Sequence, residues 1–349
     1  MDLFQAITEL TTTPGVSGNE DKVAEVIRKW FRNWTDDVWS DVMNNTYARF
    51  GNPDGPTILL MAHMDEIGMM VADIEENGMV RIYNVAGVDP RVLPGSELQI
   101  NGKETVPAVV GALPPHLQKA GENTKNYKIE SLLCDTGLSA EEVKELVRIG
   151  DTVSFRAFPP MKLKNNVIAG KTFDDRACVA ALMEVMELLK NYKLECNVVV
   201  CASVGEESHF EGGITGAYTI DPDMAIAIDV CHAPQPGAKP VDYTDFDKVA
   251  IGRGGNIHPK MFEKLKASAK EQNIDYDVDV MFAQTGTDAW PIQVQRGGIP
   301  AGLISLPLRY MHTSVEVISM DTLKNCAKVI AGAVKNIGAD WEETLCLDD

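Results

Sequence analysis

Apolar residues recur at Val23, Val26, Ile27, Trp30 and Phe31 within NEDKVAEVIRKWF (19–31). That i, i+3, i+4, i+7, i+8 spacing lines one face of an amphipathic helix. Asn19 sits where an N-cap belongs, and Glu20 and Asp21 put negative charge on the first turn. The same period runs through LKNCAKVIAGAVKNI (323–337), apolar at 323, 326, 327, 330, 333, 334 and 337. DDRACVAALMEVMELLK (174–190) predicts a further helix, one that opens on two aspartates. Between these stretches lie short, continuous apolar runs: TILLMAH (57–63), NVVVCASV (197–204), MAIAIDV (224–230) and IPAGLISLP (299–307). Runs of that length bounded by turn residues predict buried strands. Strands alternating with helices predict an α/β layer fold with a largely parallel sheet.

The pattern changes over 68–163. There the apolar positions fall in short alternating segments (MVRIYNV, SELQI, AVVGAL, DTVSF) broken by Gly and Pro, with one helical piece at SAEEVKELVRI (139–149). This predicts a β-rich unit inserted into the first domain, its ends close together, so that 1–67 and 164–349 form one body. The chain contains no internal repeat and no low-complexity tract.

Composition narrows the function classes. A net charge of −19 argues against nucleic-acid binding, which wants a basic footprint. No apolar run reaches the ~18 residues of a membrane-spanning helix, and MDLFQAITEL lacks the basic and apolar regions of a signal peptide. Seven cysteines form no C-x-x-C and no regular framework, which leads us to expect free thiols in a reducing cytoplasm.

The chemistry-bearing residues gather where strands or helices are expected to end or begin. His63 closes the first apolar run and is followed by Asp65; Asp229 lies at the end of another, and His312 follows a third in PLRYMHTSVE. Glu206 and Glu207 stand side by side after NVVVCASV, and Asp174 and Asp175 open a helix. Ligand sites of open α/β sheets lie beyond the carboxyl ends of strands. Imidazole mixed with carboxylate suits borderline divalent ions such as Zn²⁺ or Co²⁺. Two ions about 3.5–4 Å apart need a bridging carboxylate, and a carboxylate that does not ligate must take the proton from the attacking water. A glutamate pair can divide that labour. The residues alone also allow solvated strand ends, helix caps and turns. H-E-x-x-H, G-x-S-x-G and P-loop motifs are absent.

The ordered set AHMDEIGMMV, GKTFDDR, GEES, IAIDV and PLRYMHTSVE, with VVGALPPHL and KIESLLCDTGLSAEEVKEL in the middle, resembles a known family. It is the family of glutamyl aminopeptidases, deblocking aminopeptidases and tetrahedral (TET) archaeal peptidases, some of them labelled cellulase M. The resemblance spans almost the whole chain. It implies a phosphorylase/hydrolase-like mixed sheet flanked by helices, an inserted PDZ-like β domain, two divalent metals per subunit (Zn or Co, with Mn a third option), peptide substrates and assembly into dodecamers. By motif position it implies His63, Asp174, Glu207, Asp229 and His312 as metal ligands, with Asp174 bridging. Glu206 then matches the general base and Asp65 the carboxylate that orients His63; Asp175 is expected to be a helix-start residue.

Two stretches depart from the family pattern. The family usually reads Gln-Glu-Glu-Val-Gly around the glutamate pair, whereas here Gly205 precedes it and SHFEGGITGA follows. The 208–215 segment is longer than usual, and its Gly212–Gly213 pair predicts an irregular path over the site. His209 and Phe210 within it are candidate substrate contacts. After Asp229, VCHAPQPG also differs and places Cys231 and His232 near a ligand. The expected function is a cytoplasmic, dinuclear metal-dependent aminopeptidase. An endoglucanase using the glutamate pair and a non-catalytic metal-binding scaffold are the alternatives.

Overall fold

The computed structural model describes residues 1–117, 126–239 and 243–347; the predicted ranges 68–163 and 164–349 therefore each include residues outside this description. The chain opens with α1 (Leu3–Thr12) and α2 (Asp21–Phe31), then β1 (Val38–Ser40), β2 (Thr46–Gly51) and β3 (Thr57–His63). It leaves to form β4 (Gly68–Ile74), β5 (Val80–Ala86), β6 (Glu97–Asn101), β7 (Thr105–Val110), β8 (Leu133–Asp135), α3 (Ala140–Leu146) and β9 (Thr152–Phe155). The short β10 (Met161–Lys162) and β11 (Val167–Gly170) lead into α4 (Phe173–Leu189), β12 (Asn197–Ser203), α5 (Glu206–His209), α6 (Glu211–Ile220) and β13 (Met224–His232). There follow β14 (Val249–Gly254), α7 (Pro259–Glu271), β15 (Tyr276–Met281), α8 (Ala289–Gln293), β16 (Ala301–Leu308), β17 (Glu316–Ser319), α9 (Met320–Lys335) and α10 (Trp341–Leu345).

Eight strands form the main sheet in the order β1-β2-β12-β3-β13-β16-β14-β15. The central four, β12, β3, β13 and β16, are mutually parallel, while β2 and β14 run antiparallel to their inner neighbours. Parallelism is therefore confined to the centre and to the β14–β15 edge pair, and the sheet is mixed. The continuous apolar runs follow from burial on both faces. Along β3, Ile58, Leu60 and Ala62 enter the large core shared with α1, α2, α4, α7 and α9. Leu59 and Met61 point the other way, into a smaller core with Ala217 of α6 and Ile292 of α8. Strand β12 alternates in the same manner.

The six strands β4–β9 close into a barrel, β4-β5-β8-β7-β6-β9, which leaves from the end of β3 and returns before α4. It has its own apolar core, from Ile67 to Phe155, the property expected of an inserted unit. Closure leaves no free strand edge. Helix α3 is started by a reciprocal cap: Ser139 Oγ accepts from the Glu142 N–H, and Glu142 accepts from the Ser139 N–H.

Two local expectations are corrected. Helix α2 starts at Asp21 with Glu20, not Asn19, in the N-cap position. The Glu20 carboxylate is turned away from the helix to accept from the Gly18 and Gly205 N–H groups. The 208–215 segment is not irregular: it is the end of α5 and the start of α6, joined at Phe210 (φ 60°). Gly212 and Gly213 are buried close against Val204, Asn45 and Asp288, where a Cβ would collide; they are there for close packing.

Arg176, at the start of the regular part of α4, is fully buried. It donates to the carbonyls of Leu10, Thr13, Gly15 and Met64 and lies 3.5 Å from Glu66. Arg176→Met roughly keeps the volume but strips four carbonyls of their donor and leaves the buried Glu66 with Lys171 as its remaining cation among the described residues. We expect it to cost about 3–5 kcal/mol, read as a lower urea midpoint with an unchanged m value.

Candidate active site

Parallel pairing brings the carboxyl ends of the central strands level. Ser203 pairs with His63 across β12 and β3, and Asp229 pairs with Ser305 across β13 and β16. His63, Asp65, Asp174, Asp175, Glu206 and Asp229 are all buried at this end of the sheet. His312 reaches it from the loop after β16, with a third of its side chain exposed. Glu207, beside Glu206 in α5 and 3.2 Å from His312, completes the seven residues assigned by resemblance, which the fold brings to one place.

His63 Nε2 lies 3.2 Å from Asp174 Oδ1 and 3.7 Å from Glu206 Oε2. His312 Nε2 lies 3.2 Å from Asp174 Oδ2 and 3.2 Å from Glu207 Oε1. Asp174 therefore turns one oxygen to each imidazole. Three overlapping ligand sets, His63/Asp174/Glu207, His63/Glu206/Asp229 and Asp174/Asp175/Asp229, each have donor atoms within 4.8 Å of one another. Glu207 Oε1 and Asp175 Oδ1 are buried without a hydrogen-bond donor. Buried acceptors that lack donors, mixed with imidazole, fit divalent cations of the zinc type.

Asp65 holds more of the site than His63. Its Oδ1 is 3.3 Å from His63 Nδ1, an electrostatic pairing outside hydrogen-bond geometry. The same carboxylate accepts from Ser17 Oγ (2.6 Å) and from the N–H groups of Glu206 (3.1 Å) and Glu207 (3.2 Å). Burial opposes ionisation of Asp65, yet His63, Ser17 and these amides hold its carboxyl below the ordinary range.

At Glu206, Asp175 and Asp229 burial wins. It pushes the Glu206 carboxyl up to about 11, with His63 opposing and Asp229, Asp288 and Glu207 adding to the rise. Asp175 and Asp229 are raised well above the ordinary value, first by burial. Burial works against protonation of the two histidines, but the carboxylates around them prevail: His63 is raised well above its ordinary value and His312 to about 11.

Asp174 and Asp175 lie in the first turn of α4 with non-helical ψ angles of 103° and 21°, so Asp175 stands at the helix start, just before the regular part that begins at Arg176. Asp175 Oδ2 accepts from the His63 N–H at 3.3 Å. His209 is 86% exposed at its side chain and meets only Glu211, at 3.7 Å; Phe210 is half-buried. Cys231 Sγ lies 3.1 Å from Thr244 Oγ1, and neither it nor the exposed His232 enters a ligand set among the described residues.

Sequence reasoning missed three supports. Glu316 accepts from the N–H groups of Phe173 (2.6 Å), Asp174 (3.2 Å) and His312 (3.0 Å), tying the two sides of the site together. Asp288 accepts from Ser203 Oγ at 2.5 Å beneath the Glu206 turn. Glu66 is paired with the buried Lys171 and accepts from Thr172 Oγ1. Glu316 falls inside PLRYMHTSVE, four residues after His312, and that spacing was the available signal.

The family model of the M42 glutamyl aminopeptidases matches residues 44–329. The chain belongs to the M42 glutamyl aminopeptidase family. Membership makes it a peptide hydrolase of the aminopeptidase class. The lysyl aminopeptidase of Pyrococcus furiosus is 31% identical over 96% of this chain and 97% of its own. Among solved structures, the aminopeptidase APDkam598 from the archaeon Desulfurococcus kamchatkensis is 31% identical, with a TM-score of 0.91 over 99% of both chains. The TET1 peptidase of Pyrococcus horikoshii, which can assemble into a tetrahedron or a large octahedral shell, is 26% identical. Its TM-score is 0.84 over 96% of this chain and 100% of its own.

At the rim of this M42 site, burial and the Asp65 charge push the Glu20 carboxyl from its ordinary 4.5 up to about 7. Between those values the folded protein binds a proton that the unfolded chain has released, so stability falls as pH rises through the window. Glu20→Gln keeps the acceptor for Gly18 and Gly205 and removes the charge. We expect the metal-free variant to be on the order of 3 kcal/mol more stable than the parent above pH 7 and equal to it below pH 4.5. Urea titrations at several pH values check this.

Proposed function

We propose that this aminopeptidase is a dinuclear metalloenzyme that removes N-terminal residues from peptides. The observation that carries the reading is the Asp174 carboxylate, 3.2 Å from each imidazole through different oxygens, the disposition of a bridge between two sites. His63 and Asp229 would hold one divalent ion and Glu207 and His312 the other, with Asp174 shared. Zinc or cobalt suits these donors best, with manganese next. Bound ions would receive the substrate's free amine, polarise the scissile carbonyl and the attacking water, and supply the positive charge that lets Glu206 and Asp229 ionise.

Glu206 takes the proton from the attacking water and hands it to the leaving amine. Asp65 fixes the direction of this transfer, because it grips the backbone of both glutamates as well as pairing with His63. The inserted barrel corresponds to 68–163 in this reading. We further propose a cytoplasmic homo-oligomer larger than a dimer, after the TET1 assembly. Phe210, half-buried beside the pair, is the substrate contact we favour over the exposed His209. A glycosidase using Glu206 and Glu207 would need its carboxyls about 5–9.5 Å apart across a sugar bond, and it gives two buried-side imidazoles no task.

Chelation should abolish hydrolysis of aminoacyl chromogenic substrates, and a divalent ion should restore it. Full activity in a sample shown metal-free by elemental analysis would remove the mechanism. Glu206→Gln should keep both metals and lose about 10²–10⁴-fold in turnover, whereas Glu207→Gln should lose metal. Exchanged phenotypes would mean that the division of the pair is the reverse.

A further inference from the structure

Among the described residues, a polar contact joins the barrel to the proposed metal-ligand cluster. His312 Nδ1 lies 3.1 Å from the carbonyl oxygen of Gly87, the residue that follows β5. The two are 225 residues apart. The geometry points to Gly87 as a positioning residue: its carbonyl, carried by the inserted barrel, fixes the ring orientation and tautomer of His312 for metal binding. This rests on the assignment of His312 as a ligand.

Three observations support it. First, an Nδ1–H donated to Gly87 leaves Nε2, which faces Asp174 and Glu207 at 3.2 Å each, as the nitrogen available to a metal. A ligating imidazole needs one nitrogen bare and the other anchored, and the anchor sets ligand basicity and aim. Second, the backbone and the ring of His312 are held from different domains. The His312 N–H is bound by Glu316 of the main body at 3.0 Å, at a positive φ of 61°. The ring, a third exposed, has Gly87 as its anchor on the Nδ1 side. Third, the approach requires glycine. A Cβ at position 87 would stand 2.7 Å from Nδ1, 2.8 Å from Cε1 and 2.7 Å from the buried Ile67 Cγ2, at a φ of +56°. β5 also lies against α5, which carries the glutamate pair, so the barrel is seated on the site.

The test compares Gly87→Ala with Gly95→Ala. Gly95 belongs to the same barrel and has a φ of +86°, but nothing lies within 4 Å of its Cβ direction; it reports backbone strain without touching His312. Zinc and cobalt affinities of the full-length protein are measured by chelator competition, with His312→Ala as reference. Loss of one metal site in His312→Ala establishes the ligand. Gly87→Ala should then weaken that one site about 10–100-fold, change the cobalt absorption spectrum, and recover turnover in excess metal. Gly95→Ala should leave affinity and spectrum as they are. Should Gly87→Ala fold poorly, Asn84→Ala, which frees the turn whose Val88 N–H it accepts at 3.4 Å, should weaken the same site in the same direction. Unchanged affinity in the folded Gly87→Ala protein, or equal loss in Gly95→Ala, overturns the proposal. Two intact sites in His312→Ala overturn the ligand assignment itself, and the inference with it.

Discussion

Burying many carboxylates at one end of a sheet is the constraint that organises this molecule. Asp65, Glu66, Asp174, Asp175, Glu206, Asp229, Asp288 and Glu316 are all nearly inaccessible, and like charges in a low-dielectric interior cannot all remain ionised without compensation. The fold supplies three kinds. Backbone amides satisfy Asp65 and Glu316, Lys171 and Arg176 neutralise Glu66, and two imidazoles face Asp174. Asp175, Glu206, Asp229 and Asp288 are left over, each raised in pKa first by burial. Without a cation Asp175, Glu206 and Asp229 stay protonated, so the scaffold holds carboxyl groups that ionise only against added positive charge.

The parallel centre of the sheet is what concentrates the charge. Four strands pointing the same way must discharge their loops at the same end, and each loop brings one or two polar groups. The supports then connect loops that the strands alone would leave independent. Asp65 couples the end of β3 to the start of α5, and Glu316 couples the start of α4 to the His312 loop. Positioning here is a matter of few-atom bridges between adjacent strand ends, which is how a site distributed over the chain attains sub-ångström order.

Legibility from sequence followed the range of the interactions. The apolar periods gave α2, α4 and α9 and the four central strands because burial acts on each segment by itself. Strand and helix ends gathered the candidate residues, resemblance assigned five as ligands with Glu206 as base and Asp65 as orienter, and the fold brings these seven together. Local rules misled where a distant partner outbid them. Asn19 looked like a cap, but Glu20 occupies the position while its carboxylate serves Gly205 on another loop. Asp175 is at the helix start as expected, but with non-helical backbone angles, and its carboxylate also lies among the possible ligand atoms. Gly212 and Gly213 looked like freedom of path, whereas their neighbours lie up to 167 positions away in sequence, at Asn45, and leave no room for a side chain. The role of Asp288 was invisible for the same reason, and that of Glu316 was signalled only by its spacing from His312, since its other contacts lie across the fold.

The scattering of the cluster along the chain also bears on biogenesis. His63 is synthesised early, and His312 only after β16 has been made. The segments between them include a barrel with a core of its own, able to collapse before the main sheet can close. During translation the nascent chain therefore carries a growing set of acidic strand ends, and on the proposed ligand assignment the site could not be complete until His312 had been made. Contacts between early and late parts of a chain slow folding. In this protein they also time the arrival of the hydrolytic centre, so that a truncated or stalled polypeptide is left without a finished peptidase.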